Sequence, residues 1–232
     1  MCQISAEAFL HVDRRADIGI NNGGGCRKDI AKGSFTINHA YEVLPFSNQL
    51  ETLTMTGAKV VEALEDALDS GKDGAYPYAA GLRFDVDMTK AKGARVTNVM
   101  VNKRLQGSWT NIVSTSTYHV VTNTYIGSGK DGYTAFGAVT GTNRVNTQIE
   151  YAESLIKYAE DKTTLATPAT TTFGTQKYID DTGCDHSITQ SRADCRFDFT
   201  ILHMVCERSR RSDVGLETRY YCISTLDMEH PG

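Results

Sequence analysis

The stretch Asn21-Asn22-Gly23-Gly24-Gly25-Cys26-Arg27 sets three consecutive glycines between paired amides and a guanidinium. Glycine loses the most conformational freedom on folding, so three in a row point to a sharp turn or a close backbone approach. The N–H groups of such a turn, at Gly24 and Gly25, can face an anion or the edge of a ring with no side chain in the way. Arg27 offers a planar fork of donors suited to phosphate. Asn22 both donates and accepts, which suits a purine edge. Farther along, Phe46 follows a proline in EVLPFSN, and Tyr125 lies six residues before Asp131 in NTYIGSGKDGY. Two aromatic rings can sandwich a nucleobase, each stack contributing about 1–3 kcal/mol, and an ionised Asp131 accepts from both hydroxyls of a ribose. Taken singly, an aromatic at either position is ordinarily a core residue, and spacing alone does not make the two rings face each other.

Other chemistries lack their residues. GSGKDG matches a dinucleotide fingerprint in its glycines, but YTAFGAVTGTNR after it is no amphipathic helix. GGGCRKD has no glycine before Lys28 and no Ser or Thr after it, which rejects a P-loop. The six histidines (His11, His39, His119, His186, His203 and His230) stand far apart, and no G-x-S-x-G occurs. No catalytic residue and no metal ligand is therefore assigned. Of six cysteines, Cys2 and Cys26 stand alone, and Cys184, Cys195, Cys206 and Cys222 crowd the last quarter. Cys184 and His186 form a C-x-H, but without any C-x-x-C the pattern favours disulfides or unreactive thiols over zinc.

These candidates must be held by a fold. The 232 residues are 40% hydrophobic, enough for a core, and the net charge of −4 provides no field for nucleic acid. No apolar run is long enough to span a bilayer. Periodicity predicts a short helix over 4–12, with Ile4, Ala8 and His11 on one side. A strand through Ile18 and Ile20 then runs into the glycines. MTGAKVVEALEDALDSG predicts a helix with a stripe at Val60, Val61, Leu64, Ala67 and Leu68, an N-cap at Thr56 and Gly71 past its end. Leu82, Phe84 and Val86 alternate as in a half-buried strand, and ARVTNVMVNKRLQG and TSTYHVVTN read as strands. A helical stripe through Ile149, Ala152, Ile156 and Ala159 closes the ordered pattern. The fold class is α+β, a mixed sheet with flanking helices. Residues 1–160 form one domain, 161–186 a Thr-rich extended arm, and 187–232 a cysteine-containing tail whose RSRRS cluster reads as a solvated turn.

Together ADIGINNGGGCR, YEVLPFSNQLETLTMTGAKVVEALE and NTYIGSGKDGYTAF resemble the C-terminal domain of the 5′-nucleotidase family, in order, over residues 1 to about 160. The resemblance implies that family's fold and a role in nucleotide catabolism, the hydrolysis of nucleoside 5′-monophosphates. In that family the C-terminal domain binds substrate, and a separate N-terminal metallophosphoesterase domain holds two divalent metal ions. Position by position, Asn22, Gly24 and Gly25 match the base-binding turn and Arg27 a phosphate-binding arginine. Phe46 matches the first stacking aromatic and Asp131 the ribose-binding carboxylate. Tyr125 stands where the family usually has phenylalanine, so its hydroxyl needs a partner or water. Lys130 replaces a commoner glycine, and Cys26 a usual isoleucine, which implies packing rather than reactivity. The family's metal-binding motifs are nowhere in this chain. The resemblance thus implies a substrate-recognition half that binds no cofactor itself and is inactive without its N-terminal partner domain. The alternative is a stand-alone nucleotide-binding module without catalysis. An extracellular, periplasmic or cell-surface location is implied as well, although MCQISAEAFLHV shows no signal peptide. Met1 is then expected to fall within the element joining the two domains rather than at the true N-terminus.

Overall fold

The computed structural model describes residues 1–186. The tail at 187–232, with Cys195, Cys206, Cys222, His203, His230 and the RSRRS cluster, lies outside the described residues.

Helix α1 (Cys2–Val12) buries Ala6, Ala8, Phe9 and Leu10. It lies directly on strand β1 (Ile18–Asn22): a Cβ at Gly19 would sit 2.4 Å from the Ala6 carbonyl oxygen. Ile18 and Ile20 point to the opposite face of β1, so that strand is buried on both sides. A 3₁₀ turn, Gly23–Gly25, ends it. The chain continues through α2 (Ile37–Val43), β2 (Gln49–Thr56) and α3 (Gly57–Asp69). Thr56 caps α3 as its sequence predicts, its hydroxyl accepting from the Lys59 N–H, a contact that contributes about 1 kcal/mol. Val60, Leu64, Ala67 and Leu68 are buried along one stripe, and Val61 packs at its edge.

Strands β3 (Pro77–Ala80), β4 (Leu82–Asp87), β5 (Val96–Val101), β6 (Thr110–Asn111) and β7 (Thr117–Asn123) follow. After them come short helices α4 (Thr124–Gly127) and α5 (Thr134–Gly137), then β8 (Arg144–Glu150), α6 (Tyr151–Lys162) and β9 (Thr175–Ile179). One sheet has the order β3-β1-β7-β2-β8 and the other β6-β5-β4-β9. In the first, only the β1–β7 pairing is parallel. Gly81, at φ 73°, swings the chain from β3 in one sheet to β4 in the other. One apolar cluster fills the space between the sheets and α3. A second lies under α1, α2 and α6 on the other face of the five-stranded sheet. The mixed α+β architecture is the one its sequence predicts.

Two expectations are corrected. Ile149 belongs to strand β8, where Glu150 lies opposite Gln49, and not to a helical stripe. Helix α6 starts at Tyr151 and buries Tyr151, Ala152, Ser154 and Leu155. Pairing with β2 overrides the helical period there. Second, Cys2 and Cys26 are not isolated: they form a disulfide, their Cα atoms 5.6 Å apart. Because α1 crosses the start of the glycine turn, residues 24 positions apart meet there. The Thr-rich arm is partly structured: β9 joins the second sheet parallel to β4, and Gln3 on α1 donates to the Thr172 carbonyl and accepts from the Gly174 N–H.

The topology decides where functional groups collect. Strands β1 and β7 run parallel, so their last residues, Asn22 and Asn123, reach the same end of the sheet. Strand β2 runs against β7, with Leu50 opposite Asn123, so the segment before β2 that carries Phe46 arrives at that end as well.

Candidate functional site

At this sheet end three of the sequence candidates touch. The Asn22 Nδ2 donates to Asp131 Oδ2 at 3.2 Å and to the Gly74 carbonyl at 3.1 Å. The Tyr125 hydroxyl donates to Asp131 Oδ1 at 3.1 Å. Asn123, which sequence reasoning did not single out, donates to Asn21 Oδ1 at 3.0 Å and to Asn22 Oδ1 at 3.1 Å. Its own Oδ1 accepts from the Ile126 N–H and so caps α4, the helix that carries Tyr125. Asn21, Asn22 and Asn123 are buried and fully engaged. Their signal was an Asn closing each of two strands just before a turn, in GINNGGG and VVTNTY.

The glycines have a use within the protein. A Cβ at Gly24 would lie 3.1 Å from the Gly74 Cα, and one at Gly25 would lie 2.9 Å from Asn21 Oδ1 and 3.0 Å from Asn22 Oδ1. The turn is bare because a second turn, Asp73–Ala75, and two amides press against it. This packing accounts for the two positions without any ligand.

Asp131 adopts φ 53°, a left-handed conformation that Asp tolerates better than most residues. The loop around it is fixed at several points. A Cβ at Gly132 would meet the Ser70 Cβ at 2.7 Å. The buried Tyr133 hydroxyl donates to the Ala75 carbonyl at 2.7 Å. Asp66 Oδ2 on α3 accepts from the Thr134 hydroxyl at 2.5 Å and from the Ala135 N–H at 2.9 Å. Burial raises the Asp66 carboxyl, but Lys92 and these two donors outweigh it and leave the group below the ordinary Asp value. Lys72 Nζ approaches Asp131 Oδ1 at 3.6 Å from an exposed position, a weak pairing.

Neither candidate ring is a core residue. Phe46 is 49% exposed and Tyr125 42%. Their loops meet where the Gln49 N–H donates to the Thr124 hydroxyl at 3.3 Å. Among the described residues, neither ring makes an aromatic contact with another. The Phe46 N–H donates to the Tyr151 hydroxyl at 2.8 Å, which fixes the backbone of that segment. Burial pushes the Tyr151 phenol up to about 12, against the opposing field of Arg27. Arg27 is exposed, and its backbone N–H donates to the Val43 carbonyl at 2.8 Å. Phe46 is thus tied to Tyr151, whose phenol also feels the Arg27 charge, while Asn22, Tyr125 and Asp131 form a hydrogen-bonded group of their own. Carboxylate, amides, guanidinium and two exposed rings are the chemistry of recognition.

The C-x-H pair lies elsewhere, beyond β9. Asp180, Cys184 and His186 gather there within ligand reach of one another. Asp180 Oδ1 accepts from the Thr182 hydroxyl and N–H and from the Cys184 N–H, while Oδ2 pairs with His186 at 2.9 Å. These hydrogen bonds make the group a braced turn.

Residues 1–138 match the family model of the 5′-nucleotidase C-terminal domain. The chain is 39% identical over 161 residues to the NAD 5′-nucleotidase of Haemophilus influenzae, covering 66% of this chain and 27% of that protein. It is 38% identical over 150 residues to a probable 5′-nucleotidase of Treponema pallidum, covering 62% and 25%. The solved H. influenzae NAD nucleotidase superposes with TM-score 0.65 at 38% identity over 69% of this chain and 30% of that one. The 5′-nucleotidase precursor of Thermus thermophilus gives 0.66 at 31% over 72% and 33%. The chain therefore spans about a quarter to a third of the length of these relatives.

Proposed function

The chain belongs to the 5′-nucleotidase C-terminal domain family, and from that premise we propose that it is the nucleotide-recognising part of a 5′-nucleotidase-type phosphoesterase. The observation that carries the reading is the Asn22–Asp131–Tyr125 group at one sheet end, the end to which the pairing of β2 with β7 also brings the segment that carries Phe46. In this reading the base stacks between Phe46 and Tyr125, Asp131 accepts from the ribose hydroxyls, and Arg27 donates to the phosphate. Asn22 and the turn at Gly24 and Gly25 hold the floor of the site and keep Asp131 in place.

Hydrolysis of a phosphate monoester by this class of enzyme draws on divalent metal ions to activate water and stabilise the developing charge. The candidate site residues at the sheet end include one carboxylate, Asp131, among amides, glycines and aromatic rings, too few anionic ligands for a pair of such ions. We assign the ions to an N-terminal metallophosphoesterase domain, the partner of this domain in the parent protein. The nucleoside 5′-monophosphate is the substrate presented to it. The buried Cys2–Cys26 disulfide supports an oxidising location, extracellular, periplasmic or at the cell surface.

Calorimetric titration of the full chain with AMP and adenosine, paired with an assay of phosphate release in added divalent metal, tests the assignment. Saturable binding without phosphate release is expected. Release of phosphate from AMP by this chain would refute the division of labour.

A further inference from the structure

Asp131 is spoken for on both of its oxygens. Oδ2 accepts from Asn22 and Oδ1 from the Tyr125 hydroxyl, at 3.2 and 3.1 Å. These bonds belong to a closed circuit. Asn22 Oδ1 accepts from Asn123 Nδ2, and Asn123 Oδ1 accepts from the N–H of Ile126, the residue after Tyr125. Tyr125 is therefore pinned twice: at its backbone through the cap that Asn123 provides, and at its ring tip through Asp131. Its phenol is raised by burial first and by the neighbouring Asp131 charge next, so it stays a protonated donor. The ring is still exposed enough to offer a face.

We propose that Tyr125 and Asp131 act as one element, with the carboxylate setting the angle of the stacking ring as well as receiving the sugar. Asp131 is then a positioning residue for base recognition, including for ligands that have no sugar. A phenylalanine at 125 would stack but swing about its side-chain bonds, and binding would have to arrest that motion. An immobilised side chain costs binding about two- to tenfold in affinity. Tyrosine tied to Asp131 has this cost met before the ligand arrives. The proposal rests on the nucleotide reading given above and adds to it a coupling between two subsites.

Free adenine separates the two ideas, because it stacks but has no ribose to reach Asp131. The test is titration of the full chain with adenine and with adenosine, followed by the ring resonances of Tyr125. Variants are Tyr125→Phe, Asp131→Gly (glycine suits φ 53°), Asp131→Asn and the Tyr125→Phe/Asp131→Gly double. Tyr125→Phe and Asp131→Gly are each expected to weaken adenine binding about two- to tenfold, and the double variant no more than either single. Asp131→Asn, which keeps a hydrogen bond to the hydroxyl with either orientation of its amide, restores adenine binding but not full adenosine binding. Adenine affinity untouched by both Tyr125→Phe and Asp131→Gly, with adenosine affinity lost in the latter, would overturn the coupling and leave the nucleotide reading standing. A wild-type chain that binds neither compound would overturn both. Tyr125→Phe removes only an exposed hydroxyl, so the adenine arm does not depend on the folding of the Asp131 variants.

Discussion

Arg144 reaches from β8 to Glu51 on β2, Nη1 to Oε1 at 2.5 Å, and spends the rest of its guanidinium on the loop that carries Asp131. Nη2 donates to the carbonyls of Gly127 and Phe136, both at 2.7 Å, and Nε to that of Val139 at 2.9 Å. Burial raises the Glu51 carboxyl, and Arg144 opposes that rise. The pair is a bracket between the sheet and the recognition loop.

Arg144→Met should therefore destabilise the protein by about 3 kcal/mol, toward the low end for a broken buried pair because Arg144 is partly exposed. Urea denaturation monitored by circular dichroism measures it. Gly127→Ala should be comparably damaging, since a Cβ there would lie 1.6 Å from Glu51 Oε1. A loss under 1 kcal/mol in both variants would mean the bracket carries little.

The Cys2–Cys26 link closes a loop of 24 residues that includes β1 and the glycine turn. Constraining a loop of that size in the unfolded chain stabilises the native state by about 3 kcal/mol. Cys26→Ser or full reduction should lower the melting temperature accordingly. Both sulfurs are buried, so reduction of the folded protein should be slow without denaturant. Equal melting curves with and without reductant, after mass spectrometry has confirmed reduction, would contradict the assignment.

Asp66 makes the loop sensitive to acid. Its folded-state pKa lies below the unfolded value of 3.8, so the folded protein binds fewer protons than the unfolded one in that range. Its contribution is fully present above pH 3.8 and is lost as the pH falls through the lower folded-state value. Asp66→Asn should flatten the acid limb of a stability–pH curve below pH 4 and leave the shape near neutrality unchanged. An identical acid limb in the variant would remove Asp66 from the account.

Arg27 is predicted to act on phosphate alone. Arg27→Ala should weaken AMP binding by about 1.5–3 kcal/mol, the range for hydrogen bonds to charged groups, and leave adenosine nearly unchanged. Calorimetry with both ligands reads the difference. Equal losses for both would deny it a phosphate role.

Much of the scaffold was legible because its signals are local. The capped stripe of α3, the alternation of Leu82, Phe84 and Val86, and the strands ending at Asn22 and Asn123 follow from neighbours in sequence. What the sequence hid depends on residues far apart. Ile149 has helical spacing with Ala152 and Ile156, yet pairing of β8 with β2 claims it. The Cys2–Cys26 disulfide exists only because α1 crosses β1 at Gly19. Asn123 was passed over since its partners, Asn21 and Asn22, lie about a hundred positions earlier and meet it only through the parallel β1–β7 pairing. The exposure of Phe46 and Tyr125 could not be read from spacing either, because the same spacing serves a ring that fills the core.

The most direct measurement is a titration of adenosine into the full chain with isotope-labelled Phe and Tyr rings and a labelled Asp131, followed by NMR. The account predicts that signals of Phe46, Tyr125 and Asp131 move together along one binding curve with a single Kd. Movement of one ring without the other, or no saturable change at any of the three, would contradict it.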